Sequence, residues 1–340
     1  MSSDTPETPN LINTSEKPEK ATIALDDEEE PLHLPVFRVT AKFFLVPIII
    51  AIGIAGTLAF ITYEMAGIQI EATPVSEEGE FGQFGGALFN GLFFTLIAGV
   101  SSILIYYLVK KRGLNAFRVI LSVTFLFLGV ILTIFFGWGI LIIFALPEWS
   151  LYLLYAIAGI TGCLLTYIFH SNKFSMRSKN TVVMIFGIYI GAFMGIIMPT
   201  WTTMMILIGI SIWDIISVRR GPIKKIFQLI DKDFQDSEGE REKENSQISK
   251  EEFRNAPMDI GIGDIAFYAL LASHALISTN SFIVWGTTTL GILIGAAWTL
   301  KLIRRNRILP GLPLSIFIGI GLYWLGVYIN TQIQFLLFFN

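Results

Sequence analysis

The stretch DIGIGDIAFYALLASHALIS, Asp259 to Ser278, has the length and apolar content of a membrane-spanning helix, yet it sets a carboxylate, Asp264, just inside its apolar run. Crossing a hydrocarbon core takes roughly 20 apolar residues in a helix. Nine stretches of the chain meet that need: Phe43 to Tyr63, Gly86 to Val109, Val119 to Leu146, Ser150 to Phe169, Thr181 to Met198, Trp201 to Val218, Ile260 to Ser278, Phe282 to Leu300 and Ile308 to Ile329. The composition agrees: 53% of the 340 residues are hydrophobic, 15% are charged and the mean hydropathy is +0.64, outside the range of ordinary soluble domains. Backbone groups in lipid must bond within their own segment, and the runs lack strand alternation. The chain therefore reads as an all-α polytopic membrane protein with nine transmembrane helices.

Charge segregation orients it. Lys110, Lys111, Arg112 and Arg118 follow the second span, Lys173, Arg177 and Lys179 the fourth, Arg219, Arg220, Lys224 and Lys225 the sixth, and Lys301, Arg304, Arg305 and Arg307 the eighth. Cytoplasmic loops carry such an excess of Lys and Arg, which predicts a cytoplasmic N-terminus and an extracytoplasmic C-terminus. Residues 1–37 read as a disordered acidic cytoplasmic tail with the run DDEEE and no apolar signal-peptide core. Residues 38–220 hold the first six spans and residues 258–340 the last three. Between them, 221–257 reads as a flexible cytoplasmic loop. At its start Ile223, Ile226, Phe227, Ile230 and Phe234 recur at helical spacing beside Lys224 and Lys225, which reads equally as a short amphipathic helix on a membrane surface or as a helix end that frays out of the bilayer.

Inside the nine spans only two charges remain, Asp214 in SIWDIISV and Asp264 in GIGDIAFY. A charge at membrane depth costs about 2.5 kcal/mol or more, so ionisable residues there mark sites or pathways. The sixth and seventh spans run in opposite directions, and each aspartate lies roughly 6 to 8 Å below the same membrane boundary at 1.5 Å per residue. Two carboxyls at one level on consecutive antiparallel helices can face each other. In low dielectric both cannot ionise, so one keeps a proton and the other loses it. That is an acid and base arrangement able to activate water.

The ninth span opens at the same level with LPGLPLSI, where Pro310 and Pro313 lack N–H groups and leave backbone carbonyls free. Unwound backbone at membrane depth is tolerated where it is buried in protein or lines a cavity. Proline also favours the first turn of an ordinary helix, so Pro310 reads equally as a helix start or as a site element that presents an extended peptide. No metal or other cofactor is implied: His33, His170 and His274 are isolated, there is no HExxH, and Cys163 is the lone thiol. His274 reads as a packing histidine, Cys163 as a small core residue, and Gly187, Gly191, Gly195, Gly291 and Gly295 as faces for close helix contact.

Three motifs resemble those of the presenilins and their archaeal homologues. GIGD, Gly261, Ile262, Gly263 and Asp264, matches the family's GxGD; Trp213 and Asp214 stand where the family usually has Tyr-Asp; and Pro310, Gly311, Leu312 and Pro313 stand where it usually has Pro-Ala-Leu-Pro. The resemblance runs from about Met198 to Ile320. It implies an intramembrane aspartyl protease with Asp214 and Asp264 catalytic, cleaving transmembrane segments of membrane proteins or peptides. Gly261, Ile262, Gly263, Trp213 and the Pro-Gly-Leu-Pro element would shape the site. Trp213 lacks the phenol of the usual Tyr, and Gly311 is more flexible than the usual Ala. The implied surroundings are the lipid bilayer, of a cell membrane or an endomembrane, with no nucleic acid and with accessory subunits or a homo-oligomer left open. The competing class is a proton-coupled transporter or cation leak channel using the same two aspartates.

Overall fold

A computed structural model of the chain describes residues 41–77, 79, 81–171, 173–220, 262–303 and 311–338. The acidic tail, the polar loop 221–257 with its amphipathic stretch, Gly261 and Pro310 lie outside these residues. All regular structure among the described residues is helical: α1 (Ala41–Phe60), running on into a wider π turn at Ile61–Met65, α2 (Gly82–Ile143), α3 (Trp149–His170), α4 (Met176–Ile197), α5 (Thr200–Arg220), α6 (Ile262–Thr279), α7 (Phe282–Ile303) and α8 (Leu312–Phe338). Eight segments are long and apolar enough to cross a membrane, with α2 supplying two of them, Gly82–Arg112 and Val119–Ile143.

The remaining expected span is α6, which holds Asp264, Ser273 and His274. From Ile265 to Ile277 every residue but Phe267 is buried. A helix walled in by protein has no lipid to match, so it tolerates polar side chains that a peripheral span does not. The first limb of α2 is its opposite, with Phe84, Leu92, Leu96, Leu104 and Tyr107 each at least 60% exposed. In a bilayer these side chains meet acyl chains.

The sequence predicts a break between the second and third spans, but the helical backbone of α2 continues for 62 residues. A straight rod of that length would measure about 93 Å. It is not straight. Gly86 lies against Ser76 and Gly139 against Ile68, and eight residues of connecting chain reach at most about 28 Å. Moreover Gly91 and Gly99 pack on Met205 and Trp213, parallel to α5, while Phe125 and Phe135 meet Phe186 and Phe193, parallel to α4. Since α4 and α5 join through the tight turn at Met198–Pro199, the two limbs are antiparallel and α2 doubles back between Gly99 and Phe125. That interval has one glycine, Gly113, and no proline; its Lys, Arg, Leu and Ala residues favour helix up to the bend.

Glycine stripes hold the centre together. An added Cβ on Gly187, Gly191 or Gly195 of α4 would meet Ile265, Ala269 and Ser273 of α6 at 2.7, 2.4 and 2.9 Å, so the two helices run parallel at close range. Gly291 and Gly295 of α7 lie likewise against Gly319 and Ser315 of α8, antiparallel. Both stripes serve packing within the bundle, as their small-xxx-small spacing predicts. Cys163 departs from expectation: it is exposed on α3 rather than in the core. A small apolar side chain costs little facing lipid. Helix α8 also outruns its expected end near Ile329, because Thr331, Gln332 and Gln334 are polar but nothing among them stops a helix.

At Gly191 the atoms in the way are backbone, Ala266 O at 2.6 Å and Leu270 N at 2.9 Å, as well as a methyl. Gly191→Ala should therefore force α4 from α6 and cost about 1–3 kcal/mol, the range for overpacking. Gly286→Ala, with nothing within 4 Å of the new methyl, should be neutral. Thermal unfolding of the two variants in detergent distinguishes them, and equal midpoints would contradict this packing.

Candidate active site

Three helix ends converge at one end of the bundle. Helix α5 brings Asp214 there in its last turns, α6 brings Asp264 in its first turn, and α8 begins there at Leu312. The first amides of a helix have no partner within it. The N–H of Leu312 donates to Asp214 Oδ2 at 3.4 Å. The neighbouring residue, Gly311, faces the other carboxyl: a Cβ built on it would stand 3.0 Å from Asp264 Oδ2. Two consecutive residues, Gly311 and Leu312, thus stand one beside each aspartate, and the aspartates lie within electrostatic reach of each other. Both residues are only partly buried.

The α5–α8 pair is antiparallel, with the Asp214–Leu312 contact near one end and the Trp201 and Trp324 rings 5.4 Å apart toward the other. Pro313 sits buried in the first turn of α8, where its missing N–H costs nothing. Gly263 is exposed, and the one side chain near its Cβ position is Phe267 at 3.8 Å. Ile262 begins α6. Trp213 turns away from the aspartates, its ring 3.2–3.4 Å from the Cβ position of Gly99, so it braces α5 against the peripheral limb of α2.

Tyr268 escapes the sequence reading. It lies one turn beyond Asp264, 1% exposed, and its hydroxyl reaches Ser315 Oγ at 3.1 Å and the Gly311 carbonyl at 3.4 Å. A tyrosine in an apolar run looks like core; its i, i+4 spacing from Asp264 is the signal that it shares the aspartate's face.

The far end of α6 holds a different polar cluster. His274 Nδ1 lies 3.3 Å from the Gly195 carbonyl and Nε2 3.1 Å from Thr200 Oγ1, tying α6 to both sides of the α4–α5 turn. The buried Glu77 carboxylate accepts the Thr202 N–H at the start of α5, and Asn90 bonds both Val75 and Thr202. A cavity of about 630 Å³ opens here, lined by Tyr63, Glu71, Glu77, Trp201 and His274 among others. Glu77 and His274 in its lining are committed to helix ends, and His274 is about 15 Å along α6 from Asp264. It is separate from the aspartate site. Among the described residues no three His, Cys, Asp or Glu side chains gather as metal ligands.

The fold and site define a polytopic helical membrane protein with two aspartates held against the start of a helix. The presenilin family model matches residues 228–334. Presenilin-B of Dictyostelium discoideum is 32% identical over 133 residues, 38% of this chain and 26% of that protein, and presenilin sel-12 of Caenorhabditis elegans is 34% identical over 92 residues, 26% of this chain and 20% of that protein. These matches span about a quarter or less of the relatives' own length. A presenilin family intramembrane aspartate protease solved in space group C222 superposes with a TM-score of 0.56 at 13% identity, covering 84% of this chain and 99% of that one. The P2 crystal form gives 0.55 at the same identity. The chain is thus similar to presenilins in sequence over its C-terminal part, and shares the fold of a presenilin family protease over most of its length.

Replacing His274 by Leu would fill similar space but leave the Gly195 carbonyl and Thr200 hydroxyl without their partner. Burying such groups unpaired costs about 1–3 kcal/mol. His274→Leu should lower the unfolding midpoint, while Thr57→Val, at an exposed hydroxyl bonded to Gly53 O of its own helix, should not. Thermal denaturation followed by tryptophan fluorescence is the check.

Proposed function

We propose that the chain is an intramembrane aspartyl protease that hydrolyses peptide bonds within transmembrane segments by means of a water held between Asp214 and Asp264. The observation that carries this reading is the placement of the consecutive residues Gly311 and Leu312 beside the two carboxyls, one beside each. Two carboxyls so placed share one proton. The ionised member takes a proton from water as its oxygen attacks the peptide carbonyl, and the protonated member hydrogen-bonds and protonates the carbonyl oxygen. Collapse of the tetrahedral intermediate breaks the C–N bond, and a proton passes to the leaving amine. Which aspartate begins protonated is a property of the pair.

A helical substrate hides its amides and must open before it is cut. The free backbone of Pro310, Gly311, Leu312 and Pro313 would hold the opened strand, and Gly261 and Gly263 would let the chain approach Asp264 closely. Trp213 would act from a distance, by fixing α5. We assign the aspartate end of the bundle to the cytoplasmic side, on the basic residues that flank it.

Purified protein reconstituted with a single-pass transmembrane substrate should cut it, and Asp214→Ala and Asp264→Ala should each reduce the rate about 100- to 10,000-fold without unfolding the bundle. Proton or cation flux through wild-type vesicles, abolished by the same substitutions in a protein that cuts nothing, would instead establish the conduit. For orientation, Cys163→Ala provides a background without thiols. In intact cells Ser237→Cys should then resist a membrane-impermeant maleimide, and Asn280→Cys should react; the reverse pattern would invert the topology.

A further inference from the structure

The hydroxyl of Tyr268 needs an explanation that packing does not supply. The ring sits in an apolar cluster with Leu271, Ala272, Leu312 and Ile316, where phenylalanine would fill nearly the same volume. Burying a hydroxyl among such groups is unfavourable unless it bonds. Its two partners, Ser315 Oγ and the Gly311 carbonyl, both belong to the start of α8. Among the described residues, the hydrogen bonds that reach Gly311–Ser315 from other helices come from two side chains, Asp214 and Tyr268.

That placement makes a ruler. Asp264 and Tyr268 are one turn apart on α6, about 6 Å along its axis, and α6 is locked against the glycine face of α4. A bond from Tyr268 to Gly311 or Ser315 therefore sets the height of the α8 start relative to Asp264. The phenol has one proton, so it serves one acceptor at a time, and the Ser315 hydroxyl, itself fully buried, can return a bond to the phenol oxygen. The Gly311–Leu312 segment is then held from two sides, by Asp214 through its amide and by Tyr268 through its carbonyl neighbourhood.

We propose that Tyr268, with Ser315, is a positioning residue that fixes the Gly311–Leu312 backbone at the level of the two aspartates and so sets which substrate bond they reach. The inference rests on the protease reading.

Tyr268→Phe removes the hydroxyl alone. With a reconstituted transmembrane substrate and mass spectrometry of the products, this variant should lower kcat about 10- to 100-fold, the scale of a small misplacement, with KM little changed, and should spread the cuts to neighbouring bonds. Ser315→Ala should shift the cut sites in the same direction to a smaller extent. The double variant should be no worse than Tyr268→Phe. If Tyr268→Phe does not fold, the cut sites of Ser315→Ala decide. Wild-type kcat and cut sites in Tyr268→Phe, or effects of the two substitutions that multiply independently, overturn the proposal while the loss of cleavage in Asp264→Ala keeps the protease reading intact. A wild-type chain that cuts nothing overturns both.

Discussion

Two carboxyl groups set inside a hydrocarbon slab demand polar company, and the fold is arranged around supplying it at one depth. Helix ends meet part of that need at no cost to their own hydrogen bonding: the amide of Leu312 donates to Asp214, while Gly311, beside Asp264, is held through its carbonyl by Tyr268, whose hydroxyl also reaches Ser315. For those ends to meet, α5 must finish, and α6 and α8 begin, on the same side of the bundle. The rest of the scaffold is what remains once that condition is met. Helix α6 has to be central because it carries one aspartate inward and the tyrosine beneath it, and a central helix is approached closely only where its neighbour presents glycine, as α4 does.

The two ends of α6 solve related problems differently. At the aspartate end the polar groups remain partly open and face other helices' ends. At the His274 end the imidazole and the Glu77 carboxylate are already spent, one on the Gly195 carbonyl and Thr200, the other on an amide of α5. Hydrogen-bonding groups committed to the scaffold hold it in place; groups left accessible are free for a ligand. The cavity at the His274 end is thus part of the scaffold, with Glu77 and His274 in its lining tied to helix ends.

Much of this was legible from residue order. Depth counting placed Asp214 and Asp264 at one level, the glycine spacing identified the packing faces of α4 and α7, and the prolines marked the start of α8. What residue order concealed has physical causes. Tyr268 was hidden because a tyrosine counts as apolar in a span, and its hydroxyl gains meaning only from Ser315, 47 positions away. Trp213 stands next to an aspartate in the chain, but one residue is a 100° turn on a helix, which points it to Gly99 instead. Cys163 lies in an apolar run whose inward face the sequence does not mark. The doubling back of α2 is marked in its sequence by no proline and by one glycine, Gly113, among helix formers; it shows in the partners of its two limbs.

The choice between hydrolase and conduit turns on backbone more than on carboxyls, since both mechanisms use paired acids. A conduit needs polar groups spaced along a path through the membrane. Here the polar groups form two clusters at opposite ends of α6, and between Asp264 and Ser273 the helix buries Ile265, Ala266, Ala269, Leu270, Leu271 and Ala272 together with Tyr268, whose hydroxyl is bonded to α8. A peptidase needs polar backbone beside the acids, able to engage a strand whose own amides have been freed. Gly311 and Leu312 meet that need: one bears no side chain to block the approach, and the other sends its amide to Asp214 over a long 3.4 Å, a bond of the length that yields most readily to a competing acceptor. On the proposed protease mechanism, the two residues beside the resting carboxyls are therefore the ones a substrate would engage, and displacing the Leu312 amide would free an oxygen of Asp214.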